Sequence, residues 1–168
     1  MADVKVTKDL ENKTLLIEYA TNAPKEKVWR AYSDRGLFES WWGPEGWETT
    51  TKEFDFHPGG RVHYGMKCVD ENQGEFFGQE SWGVVIMQEV DAPNSFTGKD
   101  HFSDAEGNIN NDMPGMTMSV ELVEENGGTR IITRCVTESA EQLEQLLAMG
   151  MVEGFSSQLN KLEKLLQD

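Results

Sequence analysis

Long apolar runs are missing from this chain. No stretch of about 18 consecutive apolar residues occurs, so no membrane-spanning helix is expected. The N-terminal MADVKVTKDLENK carries no apolar leader core, which makes the cytoplasm the expected location. Cysteine is scarce. Cys68 and Cys135 stand alone inside expected strands, outside any C-x-x-C pair, and read as buried free thiols. Positive charge is short as well: 15 Lys and Arg face 30 Asp and Glu, a net charge of −15. Such a surface repels phosphate backbones and anionic bilayers, which argues against nucleic-acid binding. The familiar catalytic signatures are absent too: no G-x-S-x-G, no Walker loop, no dinucleotide fingerprint. No His/Cys cluster suits zinc. Asp104, Glu106, Asn108, Asn110 and Asp112 alternate like a calcium loop, but Ile109 and Gly115 stand where glycine and glutamate are needed. That segment reads as a solvated acidic turn. Neither a metal nor a cofactor is expected.

What is present is a strand-rich pattern closed by a long helix. At 168 residues the chain fits one domain, spanning 1–168, which buries roughly 70% of its unfolded surface. Thr14 to Thr21 is an apolar strand, with Val4 to Lys8 as its extension across a kink. Pro24 opens a helix with Val28, Trp29, Ala31 and Tyr32 on its apolar side. Ser33-Asp34 caps a second short helix, and Gly43-Pro44 ends it. Strands are then expected at Thr49 to Phe56, Arg61 to Val69, Phe77 to Glu89, Ser95 to Phe102, Met116 to Glu124 and Thr129 to Val136. In the second of these, Val62, Tyr64 and Met66 alternate with Arg61, His63 and Lys67, so one face is apolar and the other is solvated. Asp70 to Gly74 is a turn. A capping box at Ser139 to Gln142 starts a helix of about 28 residues, ~42 Å long if unbroken. Its stripe runs Leu143, Leu146, Leu147, Met151, Phe155, Leu159, Leu162 and Leu166. One long helix covering one antiparallel sheet makes an α+β, helix-on-sheet domain.

Four motifs sharpen this. Ala23-Pro24 with Val28-Trp29-Arg30-Ala31, Trp41-Trp42-Gly43-Pro44, Phe54-Asp55 with Pro58-Gly59-Gly60, and Met149 to Phe155 occur in that order. Over roughly residues 10–168 they resemble the bacterial AHSA-type family, named for the activator of heat-shock protein 90 ATPase, in the START/SRPBCC superfamily. The resemblance implies a helix-grip fold, a curved antiparallel sheet gripping its C-terminal helix with a cavity between them. It implies a small hydrophobic ligand or, as an alternative, a chaperone partner in a stress-response setting; a few superfamily members are cyclases. It supplies no catalytic motif. The expected assembly is a monomer or weak homodimer.

The residues nominate a cavity wall. Trp41 and Trp42 are successive helical positions, about 100° apart, so one anchors the helix while the other stands at the rim. Phe54, Phe56, Val62, Tyr64, Met66, Trp82, Phe96, Met116, Met118, Met151 and Phe155 complete the candidate lining. Methionines suit a site that adapts to varied apolar guests, or simply a filled core. Gly150 and Gly154 each cost about 1 kcal/mol inside a helix, an expense that a kink, a close approach or vacated volume would explain. Tyr64 is the best single group to orient a guest. Glu80 and Asp100 would form an acid–base pair if both strands turned them inward.

Overall fold

The computed structural model describes residues 4–167. Its strands are β1 (Val4–Asp9), β2 (Thr14–Thr21), β3 (Trp47–Phe54), β4 (Arg61–Cys68), β5 (Glu80–Asp91), β6 (Ser95–Ser103), β7 (Met116–Glu125) and β8 (Gly128–Val136). They form one curved sheet in the spatial order β1-β2-β8-β7-β6-β5-β4-β3, antiparallel throughout. The chain leaves β2 near one edge and re-enters the sheet at the opposite edge, β3. Helices α1 (Lys25–Ser33) and α2 (Arg35–Trp41) carry it across. The Asp34 side chain accepts from the Leu37 amide and starts α2, and Gly43, at φ 94°, turns the chain away after it. Helices α3 (Ala140–Ala148) and α4 (Met151–Gln167) close the fold. No helix among the described residues is long and apolar enough to cross a membrane.

Register decides which side chains meet the helices. Leu15, Ile17 and Tyr19 of β2 oppose Cys135, Thr133 and Ile131 of β8, and all six are buried. Met118, Val120 and Leu122 of β7 continue that face. Further along, Val62, Tyr64 and Met66 of β4 oppose Val85, Gly83 and Ser81 of β5. Val85 and Gly83 in turn oppose Asp100 and Phe102 of β6. The helices answer with Val28 and Tyr32 of α1, Phe38 and Trp41 of α2, Leu143 of α3, and Leu159, Leu162 and Leu166 of α4, all buried.

The structure departs from the sequence pattern in four places. β1 is a separate edge strand, because Leu10 to Lys13 turn the chain back on itself, with Asp9 accepting from the Asn12 amide and Lys13 at φ 57°. The segment after β4 is a short 3-10 helix, Glu71–Phe76, and β5 begins only at Glu80. His63 is not solvated. It does point outward, but it is 2% exposed, its Nε2 lies 3.0 Å from the Asp104 carbonyl oxygen, and its ring packs on Trp82. The acidic turn folds over that face of the sheet, held in shape by Asp104, whose carboxylate accepts from the Glu106 and Asn108 amides. Finally, the terminal helix is broken at Met149-Gly150. Gly150 takes φ 90°, a left-handed conformation that ends α3 and restarts the chain as α4.

Candidate ligand cavity

Beneath the α3–α4 break lies a cavity of about 330 Å³. Its floor is the inner face of the sheet: Tyr64 and Met66 from β4, Ser81 from β5, Asp100 to Phe102 from β6, and Met116 from β7. Its roof is the helix junction: Leu146 from α3, Met149 and Gly150, then Met151, Gly154, Phe155 and Gln158 from α4. Trp42, Pro44 and Pro114 close the sides. The roof is thin for a local reason. A side chain on Gly154 would meet nothing within 4 Å, so the missing Cβ leaves open space above the sheet. Gln158 ties the roof to the wall by accepting from the Gly43 amide at 3.0 Å.

One polar arrangement stands in this apolar wall. Tyr64 reaches across β5 at Gly83, where any Cβ would collide with the phenol ring. Its hydroxyl donates to Asp100 on β6, 2.9 Å from Oδ1 and 3.2 Å from Oδ2. The Trp42 indole N–H donates to the Tyr64 oxygen, and the His101 backbone N–H donates to Asp100. Asp100 is part of the cavity lining. Burial pushes its carboxyl up to about 7, against the opposing pull of Tyr64 and the His101 amide. Burial first, and then the neighbouring carboxylate, hold the Tyr64 phenol well above its usual range. The same two causes raise the Cys135 thiol on β8. His101 is held below its ordinary value by burial and then by Lys99. Both Tyr64 and Cys135 are therefore neutral at pH 7, and Asp100 is poised to gain or lose a proton there.

Six of the nominated lining residues meet in this wall: Trp42, Tyr64, Met66, Met116, Met151 and Phe155. The other seven lie elsewhere. Trp41 is fully buried in the core, its indole N–H donating to the Ala31 carbonyl at 2.8 Å. The two indoles meet edge to face at 5.4 Å, with Trp41 in the core and Trp42 on the cavity side. Phe54, Phe56 and Phe96 belong to an aromatic cluster with Trp29, Tyr32 and Phe38, packed edge-to-face and stacked. Val62 and Met118 are filled core. Trp82 is on the outer face, under the Lys52 ammonium at 4.8 Å. Glu80 shares that outer face and accepts from the Trp82 indole at 3.0 Å. Period-two alternation places Glu80 and Asp100 on opposite sides of the sheet, so the expected acid–base pair is not assembled. Sequence reasoning did not nominate Ser81, Phe102, Leu146 or Gln158. Phe102 shares a strand face with Asp100, and Gln158 is a polar interruption in an apolar stripe; those were the available signals. Pro44 and Pro114 arrive by loop geometry and left none.

No curated protein matches the chain. Solved structures do. Protein Ms6760 from Mycobacterium smegmatis is 36% identical, with a TM-score of 0.87 over 98% of this chain and 97% of that one. A protein from Arthrobacter aurescens is 27% identical, with a TM-score of 0.87 over 97% of this chain and 91% of that one. An AHSA1 protein from Silicibacter pomeroyi, 22% identical, shares the fold with a TM-score of 0.71 over 92% of this chain and 97% of that one. The family model described as activator of Hsp90 ATPase homolog 1-like protein matches residues 22–167, and the chain belongs to that family.

Proposed function

We propose that the cavity binds a small, mainly apolar molecule, oriented by Tyr64 and Asp100. The observation that carries this reading is a hollow of about 330 Å³ whose apolar wall contains one hydrogen-bonded tyrosine–carboxylate pair. Most ligand sites are built in this way, with apolar surface for affinity and a few polar groups for orientation. The volume is at the small end of the usual range, so the guest is small. Removing ~200 Å² of its apolar surface from water contributes about 5 kcal/mol before association costs. The helix glycines then have a use, since they keep the roof from filling the space.

Thermal shift with a panel of small lipophiles tests the proposal, paired with the variant Gly154→Leu. Saturating ligand at about 100 times its dissociation constant adds ~2.7 kcal/mol to the wild type. Leucine at 154 points into open space and removes a helix glycine, so the variant folds at least as stably and loses the ligand response. A variant that still responds fully would place the ligand elsewhere. The family description supports a second reading, a protein that acts on the Hsp90 ATPase through its exterior. Adding this protein to that ATPase tests it, and stimulation that survives Gly154→Leu would favour the surface over the cavity.

A further inference from the structure

We propose that the cavity's occupant is a cation, a small apolar amine whose ammonium group pairs with Asp100. The inference rests on the cavity being a binding site and names the class of guest. Among the described residues Asp100 is the one carboxylate in the wall, and neither lysine nor arginine lines it. Its donors are the Tyr64 hydroxyl, shared between the two oxygens, and one backbone N–H. A carboxylate offers about four acceptor sites, so capacity remains toward the hollow. A buried carboxylate without a counter-charge is costly, and a positive group from the chain would relieve it. This wall supplies neither lysine nor arginine, and its His101 imidazole is held toward the neutral form.

A guest can supply it. An ammonium brings three donors and a full charge, while its hydrocarbon part lies against Met66, Met116 and Phe155. A neutral alcohol satisfies an acceptor site but leaves the charge uncompensated. A carboxylate guest meets Asp100 as a like charge, and the net charge of −15 opposes its approach.

The pH behaviour follows from the groups around Asp100. Tyr64 from β4 and Cys135 from β8 stay neutral through pH 8. The His101 imidazole sits beside Gly115, next to Lys99, and is held neutral at pH 7. From the helices, Glu153 stands near Gly150 at the rim. Asp100 loses its proton near pH 7, and His101, held below its ordinary value, takes up a proton only on the acid side of that, so the ammonium binds more tightly as pH rises and expels a proton near pH 7.

Calorimetry with n-octylamine, 1-octanol and octanoate tests this on the full chain and on Asp100→Asn. At pH 8 n-octylamine should bind the wild type about tenfold or more tightly than 1-octanol, the difference between a charge-assisted and a neutral hydrogen bond. The preference should shrink at pH 5 and disappear in Asp100→Asn, which keeps an acceptor for Tyr64 but carries no charge. Heats measured at pH 7 in two buffers of different ionisation enthalpy should report proton release with the amine and none with the alcohol. Equal affinity for amine and alcohol at pH 8, or an amine preference that survives in Asp100→Asn, overturns the inference and leaves the apolar cavity standing. Failure of all three probes to bind overturns both.

Discussion

The space between sheet and helices has two ends, and they are built in opposite ways. At the end covered by α1 and α2, Trp29, Tyr32, Phe38, Trp41, Phe56 and Phe96 interlock at centroid distances such as 4.9 Å for Tyr32–Trp41 and 5.0 Å for Phe56–Phe96. At the end covered by the α3–α4 junction, methionines, glycines and one carboxylate surround a hollow. The same sheet face floors both. The difference comes from the covering helices: α1 and α2 bring indoles and phenyl rings, and the junction brings Gly150 and Gly154. Filling an end stabilises the fold, and leaving one empty forgoes packing there.

That contrast is most sharply tested by truncation at each end. Trp41→Ala should cost about 3–5 kcal/mol, because a fully buried indole leaves a cavity and the Ala31 carbonyl loses its donor. Met116→Ala should cost under ~1.5 kcal/mol, because that side chain already borders empty space on one side. Urea unfolding measures both. Similar losses at the two sites would erase the distinction between a packed end and a hollow one.

The next largest effect concerns the price of keeping Asp100 in the hollow end. Its carboxyl is raised from an unfolded value near 4 to about 7. The folded protein therefore binds the extra proton between those values, and stability falls as pH rises through that window, levelling off above 7. Asp9 and Asp104 are lowered instead, so their contribution runs the other way and is lost toward low pH. Comparing Asp100→Asn with wild type isolates the one residue. The variant should be more stable at pH 8 by an amount on the order of 4 kcal/mol at most, and about equal at pH 4. Denaturation midpoints across that range measure it. A constant difference at every pH would mean that Asp100 ionises as freely folded as unfolded.

The packed end was more legible from sequence than the hollow one. Apolar spacing in Val28, Trp29, Ala31 and Tyr32, the Asp34 cap, the Gly43-Pro44 stop and strict alternation in β4 and β7 each constrain local structure, and the fold follows from them. Alternation also gives a strand two faces without saying which is inner. Trp82 and Glu80 were misplaced for that reason: β5 turns Ser81, Gly83 and Val85 inward, and only the register against β4 reveals it. His63 shows a second limit. Alternation pointed it outward correctly, but a distant acidic turn then covered it. Phe54, Phe56 and Phe96 were nominated for the cavity wall, and assigning them instead to the filled end required knowing where α1 crosses the sheet. The methionines and the two glycines were visible signals of the hollow end, and a kink was one of three explanations open for those glycines, but an apolar stripe that continues on both sides of Gly150 did not single out the break there.

Those two glycines differ, and the difference gives the smallest and most specific test. Both line the cavity, four residues apart, yet their backbones are unlike. Gly150 sits at φ 90°, where an L side chain is strained, and it shapes the turn between α3 and α4. Gly154 lies inside α4, its amide donating to the Gly150 carbonyl at 2.9 Å, with open space where a Cβ would go. Alanine should therefore act with opposite sign at the two positions. Gly150→Ala should lose about 1 kcal/mol through left-handed strain, and Gly154→Ala should gain roughly 0.5–1 kcal/mol through helix propensity. Thermal unfolding reads both, and the double variant should come out near wild type if the sites act independently. A loss at both positions would mean that Gly154 is held by a close contact, and the roof would then be packed where the cavity requires it to be thin.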